Sequence, residues 1–430
     1  MGTVLTARVF LPFMLGFFLS YVFRSINNVI APDLVRDVGV DASGLGLLTG
    51  IYMITFAAFQ MPLGILLDRF GPRRTEAALL LFAAAGAFIF ATATSPMALI
   101  AGRGLIGFGV SACLMAAFKS FVDWLPADRL PFANAVMFAT GGLGAMSATV
   151  PVETALQFTD WRGVFLFMAA AAVGVAILIF AAVPEKAEHR AMGGQATLAQ
   201  QIGGLAQVLK SPIIFTIAPL STTTQATTMA VVTLWTGPWL RDVAGWSRAE
   251  VAAGLFWIAA ATTVGYLFSG WIATRLARRG IRPEQVAVTG MIVFFFVQIL
   301  ILADAPIHPL AIWSLYAIFG ISGGVMYASL SQKFPAHLAG RVNTTFNMFI
   351  FVYAFAAQWG IGAIINLWPM APNGQFAAEG YGRAFLTMLA IQLVLFVWWL
   401  VSRLIWRMPE AIRPPPDQPP NPAPGGDISR

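Results

Sequence analysis

Gly64-Ile65-Leu66-Leu67-Asp68-Arg69-Phe70-Gly71-Pro72-Arg73-Arg74 is a short charged turn between two long apolar runs. It holds one acid, three arginines, two glycines and a proline. Charges of this kind would each cost several kcal/mol in hydrocarbon, so the stretch reads as an aqueous loop between two membrane-spanning helices. Basic loops stay on the cytoplasmic side, which also orients the chain.

The composition agrees. Of 430 residues 58% are hydrophobic and 10% charged, against about 25% charged in soluble domains. The formal charge of +7 is therefore assigned to cytoplasmic loops and not to a nucleic-acid surface. The single cysteine, Cys113, lies in an apolar run and can form no internal disulfide. His189, His308 and His337 fall in or near loops without metal-ligand spacing. No nucleophile elbow, phosphate-cradling loop or metal motif appears, so an enzyme and a bound cofactor are not expected. Arg8 followed by an apolar run imitates a signal peptide, but Arg24 interrupts that run and many more spans follow; it reads as an uncleaved first span.

A span needs about 20 apolar residues. Such segments lie near 9–31, 45–67, 75–95, 97–118, 132–155 and 163–183, then near 212–235, 250–273, 284–303, 308–331, 342–367 and 381–406. The expected fold is all-α: twelve transmembrane helices in two pseudo-symmetric six-helix bundles. Residues 1–183 and 212–407 would form the bundles, 184–211 a polar cytoplasmic linker, and 408–430 a disordered proline-rich tail. With both termini inside, Arg69, Arg73, Arg74, Lys119, Arg129, Lys210, Arg275, Arg278, Arg279 and Arg282 lie in cytoplasmic loops, and few cations remain for the outer ones. The halves echo each other. Pro126-Ala127 after span 4, with Asn134 following, matches Pro335-Ala336 after span 10, with Asn343 following. The loop from Gly270 to Arg279 is a worn copy of the first turn, with Thr274 where Asp68 would stand. Such duplication is typical of secondary transporters.

Gly64, Asp68, Arg69, Gly71, Arg73 and Arg74, with Pro72 inserted before the basic pair, resemble the G-x-x-x-D-R-x-G-R-R motif of the major facilitator superfamily. The resemblance implies an alternating-access transporter of the inner membrane, multi-pass and monomeric, with both termini cytoplasmic. It implies that Asp68 holds a cytoplasmic gate by facing a helix N-terminus of the other half, here the start of span 11 near Gly340 to Asn343, with Arg341 among the gating residues. Arg69 or Arg73 would reach Asp123 at the end of span 4, and these contacts would hold the outward-open state. Arg103-Gly-Leu-Ile-Gly107 resembles the family's span-four R-x-x-x-G motif, whose arginine bonds to span 1. Phe23-Arg24, Ala31-Pro32-Asp33-Leu34 and Gln60-Met61-Pro62 resemble the branch of organic-anion, sugar-phosphate and nitrate porters. The glycine–asparagine signature of nitrate porters is absent, and span 5 lacks the Gly-Pro pair of exporters, which leans toward uptake.

Ionisable groups inside a span are candidates for function. Arg24 lies roughly 21 Å from the inner surface and Arg103 roughly 10 Å below the outer one, at about 1.5 Å per residue. No carboxylate in a neighbouring span compensates either. Ser20, Arg24, Asn27 and Asn28 share one helical face, with Tyr21 a turn before Arg24. Substrate-binding candidates are Arg24, Asn27, Asn28, Tyr21 and Gln225, with Arg103 in either a binding or a supporting role. Ser221 and Thr228 share the face of Gln225. Weaker candidates are Asn343, Asn347, Gln358, Tyr266 and Tyr327.

A permanently charged guanidinium at mid-membrane depth asks for an anion, so the expected solute is a small organic anion held near Arg24. A co-transported proton is a further candidate partner, beside the bilayer itself. No carboxylate is found near the midplane, and Glu153 and Asp33 lie near outer ends. The proton would then travel with an acidic solute, or Glu153 would titrate in an outer vestibule, or one anion would exchange for another. Drug or metabolite export is the second reading, and a non-transporting membrane sensor or scaffold the rival from another class.

Overall fold

The computed structural model describes residues 3–126, 129–184, 208–324, 326 and 336–405; side chains of 3–7, 131, 212–213, 336–341, 343 and 403–405 are not included. The tail from 406, most of the linker (185–207), Tyr327 and the side chains of His337, Arg341 and Asn343 therefore lie outside the described residues.

The described chain is helical from end to end and folds as twelve spans in two bundles of six. Span 1 is Thr3–Ser25 continued by Asn27–Val38. Spans 2 and 3 share the stretch Ala42–Thr92, divided at Gly71. Span 4 is Pro96–Gly109 and Cys113–Trp124; span 5 is Leu130–Ser147 and Val150–Ala155; span 6 is Trp161–Ala182. In the second half, span 7 runs through Pro212–Ala230, a π-helical turn Val231–Trp235, and Thr236–Asp242. Spans 8, 9 and 10 are Arg248–Ala277, Pro283–Leu302 and Pro309–Gly320; spans 11 and 12 are Ala336–Ile365 and Ala378–Ile405.

The opening turn is tighter than a loop. Helix continues to Phe70, and one residue, Gly71, reverses the chain with φ 76° and ψ 165°. That backbone region is essentially closed to residues with a Cβ. Pro72 then opens span 3, where its missing N–H costs nothing. At the predicted outer surface, side chains cap the starts of spans 2, 4, 6 and 8. Asp41, Ser95 and Asp160 accept from Gly44, Ala98 and Gly163, and Ser247 forms a capping box with Glu250.

Spans 1, 4, 5 and 7 are longer than their apolar cores and interrupted, which hydropathy alone does not reveal. Span 4 breaks over Val110–Ala112 and span 5 over Ala148–Thr149. The halves meet where span 2 packs on span 11, span 5 on span 8, and span 1 on span 7. Adding six to each number converts the first pairing into the second, as a pseudo-twofold axis requires. The seam is closest at its predicted outer end. A Cβ on Gly46 would lie 2.5 Å from the Gln358 carbonyl oxygen, and one on Gly362 would lie 2.2 Å from that of Ala42. Large apolar side chains such as Leu81, Phe88, Phe167 and Val394 remain exposed around the bundles, as hydrocarbon surroundings demand.

Candidate functional site

Span 1 carries Arg24 two residues before its helix is interrupted at Ile26. The guanidinium is partly buried at the seam, among aromatic rings from both halves. Its centre lies 4.6 Å from the Tyr21 ring, 5.6 Å from Phe56, 5.9 Å from Tyr52 and 5.3 Å from Phe351 of span 11. Phe56 and Phe351 stack across the seam with centroids 4.4 Å apart. Ring faces attract the cation without neutralising it. Among the described residues Arg24 has no carboxylate within ion-pair distance, and its Nε is buried without a hydrogen-bond acceptor. The opposite wall is neutral: Gln225 of span 7 donates through Nε2 to the Tyr266 hydroxyl of span 8 at 3.0 Å. The Gln225 Oε1 is left buried and unpartnered.

The other candidates fall elsewhere. Arg103 is fully buried and donates to the Phe23 carbonyl at 2.6 Å, with its guanidinium 5.1 Å from the Tyr52 ring. It stands behind span 1, in the geometry of support and not of solute contact. Asn27 is also fully buried and donates to Thr49 of span 2 at 2.8 Å. Asn28 is consumed by the other half: it donates to the Val232 carbonyl at 2.6 Å and accepts from the Gly237 N–H at 2.8 Å. The π-helical turn of span 7 offers that carbonyl sideways, a use such turns often have at functional positions. Asn28 is thus a tie between halves in this conformation. Ser221 and Thr228 turn from the seam to span 10, bonding the carbonyls of Gly323 and Gly320 at 2.8 and 3.1 Å. Gln358 bonds within its own half, to Thr233 and the Ala230 carbonyl.

At the predicted outer end, Arg248 of span 8 bridges two acids of the first half. It meets Asp33 through Nη1 and Nη2 at 3.0 and 2.7 Å, and Glu153 through Nε at 2.7 Å. Asn366 adds a bond to Asp41 at 3.0 Å. This end is closed, whereas the gate contacts expected from the sequence at the other end would hold the outward-open state. At the other end Asp68 is half exposed and held by Lys119 of span 4, within its own half. The Arg69 guanidinium lies 5.2 Å from the Phe70 ring, and that of Arg73 lies 4.7 Å from Phe180 of span 6. Arg74 is exposed, Gly64 and Asp123 are half-buried, and the start of span 11 with Arg341 lies outside the described side chains.

A carboxylate lies inside the first bundle, well short of the midplane: Glu76, in the first turns of span 3, is fully buried. The signal available was its spacing to Leu79, Leu80 and Ala83, the buried face of that helix. Tyr52 and Phe56 were also overlooked, although Thr49, Tyr52, Phe56 and Gln60 mark one face of span 2.

A model of the Major Facilitator Superfamily matches residues 13–358. Among curated proteins, the chain is 26% identical over 164 residues to a probable sulfoacetate transporter of Cupriavidus necator, covering 38% of each chain. It is 32% identical over 153 residues to a nitrate/nitrite transporter of Picosynechococcus, covering 35% of this chain and 28% of that one. The matched stretches thus span less than half of these relatives. A niacin transporter of Acinetobacter baylyi matches at 23% over 89% of this chain and 91% of its own. Among solved structures, a bacterial homologue of the lysosomal transporter Spinster, in an inward-facing conformation, superposes with a TM-score of 0.76 at 16% identity, over 95% of this chain and 99% of that one.

Proposed function

We propose that this chain, which belongs to the Major Facilitator Superfamily, moves a small organic anion across the cytoplasmic membrane by alternating access, in the direction of uptake. The observation that carries the reading is Arg24: a guanidinium at the seam, ringed by Tyr21, Tyr52, Phe56 and Phe351, with no acid within ion-pair distance among the described residues. Guanidinium cannot shed its proton. A carboxylate, sulfonate or phosphate group on the solute would supply the missing charge through a forked pair of charge-assisted hydrogen bonds. The Gln225 Oε1 and the Tyr266 hydroxyl would orient the neutral part from the other half. Relatives named for sulfoacetate, nitrate/nitrite and hexuronate support an anion, and the niacin relative suits the aromatic lining.

Arg103 serves in this proposal as the anchor of span 1. The Arg248–Asp33–Glu153 cluster is the outer gate in its closed state. Asp68, Arg69, Arg73 and Arg74 form the cytoplasmic gate. In the opposite conformation Asp68 leaves Lys119 for the N-terminus of span 11, where the helix dipole favours an anion, and the Arg248 cluster opens.

The test is uptake into proteoliposomes from a panel of labelled sulfoacetate, glucuronate, galactarate, niacin and nitrate. At least one should accumulate with the wild type and fail with Arg24→Gln. Equal transport by Arg24→Gln, or movement of neutral compounds alone, would end the anion reading.

A further inference from the structure

Glu76 occupies a place that the anion-transport reading leaves without a task. It stands four residues after Pro72, roughly 6 Å along the helix from the start of span 3. The side chain is fully buried, and neither carboxylate oxygen has a hydrogen-bond partner. Room for it is made by Gly16 of span 1: a Cβ there would lie 2.3 Å from Glu76 Oε1 and 3.7 Å from the tip of Ile179 of span 6. From span 4 the Cys113 thiol faces the carboxyl group.

The charged groups around this pocket are engaged or remote. On its own span, Arg73 stacks on Phe180 and Arg74 is exposed. On span 4, Lys119 is held by Asp68. On span 1, Arg8 and Arg24 are each eight residues from Gly16, about two turns away. Span 6 presents Ile179. An unpaired ionised carboxylate in such surroundings is far costlier than the neutral acid, so the pocket is shaped for the protonated form.

We propose that Glu76 is the site where the transported proton is taken up and released. This rests on the anion-transport reading and names its coupling ion. The exchange is a simple one: the carboxylate binds a proton to become the acid, and returns it when water reaches it. Two features make the site responsive to movement. Its cover on the span 1 side is a bare glycine on the helix that carries Arg24, so displacement of that helix opens the pocket. Span 4 is interrupted at Val110–Ala112, immediately before Cys113 and seven residues after Arg103 at its nearest point, which lets the thiol-bearing half-helix move apart from the half anchored to span 1.

The experiment has two arms. In proteoliposomes, whichever labelled anion of the panel is moved by the wild type is measured as accumulation driven by an imposed pH gradient, and as counterflow at equal pH. Glu76→Gln should retain counterflow and lose gradient-driven accumulation, while Glu76→Asp should regain it with a displaced pH profile. Gradient-driven accumulation surviving in Glu76→Gln would overturn the proposal. The second arm needs no solute. Infrared difference spectra of the protein in nanodiscs, titrated from acid to alkaline pH, should show a protonated-carboxyl band that titrates in the wild type and vanishes in Glu76→Gln. If Glu76→Gln does not fold, a displaced titration of that band in Glu76→Asp is the expected result. A band that never changes with pH, or persists in Glu76→Gln, would overturn the proposal. If no anion is moved by the wild type, the transport reading fails while this second arm still decides the role of Glu76.

Discussion

In the first half, span 1 brings Arg24 to the seam, span 4 places Arg103 behind it, and span 3 buries Glu76. In the second half, the corresponding span 7 faces Arg24 with the neutral Gln225, and several of its hydroxyls turn inward. Thr223, Thr224, Thr228 and Thr233 each bond a carbonyl one turn back on their own helix. Duplication has thus preserved the scaffold while the chemistry has separated. On the proposed reading, the first half holds the charges that a solute or a proton would answer, while the second supplies the neutral wall opposite Arg24.

The two arginines sharpen this contrast most. Arg24→Gln should weaken anion binding by roughly ten- to a hundredfold, the worth of a charge-assisted hydrogen bond, and leave thermal unfolding near the wild type. Arg103→Gln should do the reverse, lowering the unfolding temperature with a smaller effect on affinity, because its partner is the Phe23 carbonyl. Thermal-shift titrations with the transported anion measure both. Equal effects on affinity would erase the distinction between site and support.

The next comparison is across the seam. Arg248→Ala leaves Asp33, whose side chain is 6% exposed, without its main cation. A fully buried pair broken on one side loses about 3–5 kcal/mol, and the partial exposure of Arg248 reduces this to roughly 2–4. Spin-label distances between the 36–40 and 244–247 turns should lengthen as the open population rises by about tenfold or more.

The two copies of the charged turn give a third test. Gly71 is buried in a one-residue reversal, whereas Gly280, with φ 82°, sits exposed in a longer turn before Pro283. Gly71→Ala should cost about 1–3 kcal/mol of stability, and more than Gly280→Ala in the same unfolding measurement. The smallest effect belongs to the neutral wall. Gln225→Leu should reduce affinity by less than about tenfold, the worth of a neutral hydrogen bond.

Much of this was legible in the chain. The turn at Gly64 to Arg74, the twelve apolar runs and the odd charge at Arg24 follow from the cost of polarity in lipid, which composition displays directly. What a helix faces is less visible. Asn28 and Arg24 share a helical face in sequence, yet Asn28 is taken by a carbonyl that exists as an acceptor because span 7 widens into a π turn. Arg103 is an intramembrane charge by the same rule that marks Arg24, and only its burial behind span 1 separates them. Glu76 falls at the very start of the span placed near 75–95, where an acid can ordinarily reach water; its burial follows from the one-residue reversal at Gly71, which returns the chain to helix at Pro72.

The glycine contacts at the closed end bear on how fast the molecule can turn over. Where Gly46 meets the Gln358 backbone and Gly362 meets that of Ala42, main chain slides on main chain. Parting such surfaces frees few side-chain rotamers, and bringing them together freezes few, so little conformational entropy changes hands in either direction. Resistance to parting then resides in the polar ties at this end: the ionic clasp at Arg248, the Asn28 bonds to span 7 and the Asn366–Asp41 bond. On the proposed alternating-access reading, ionic strength at that end, which weakens partly exposed pairs, becomes an external control on the clasp.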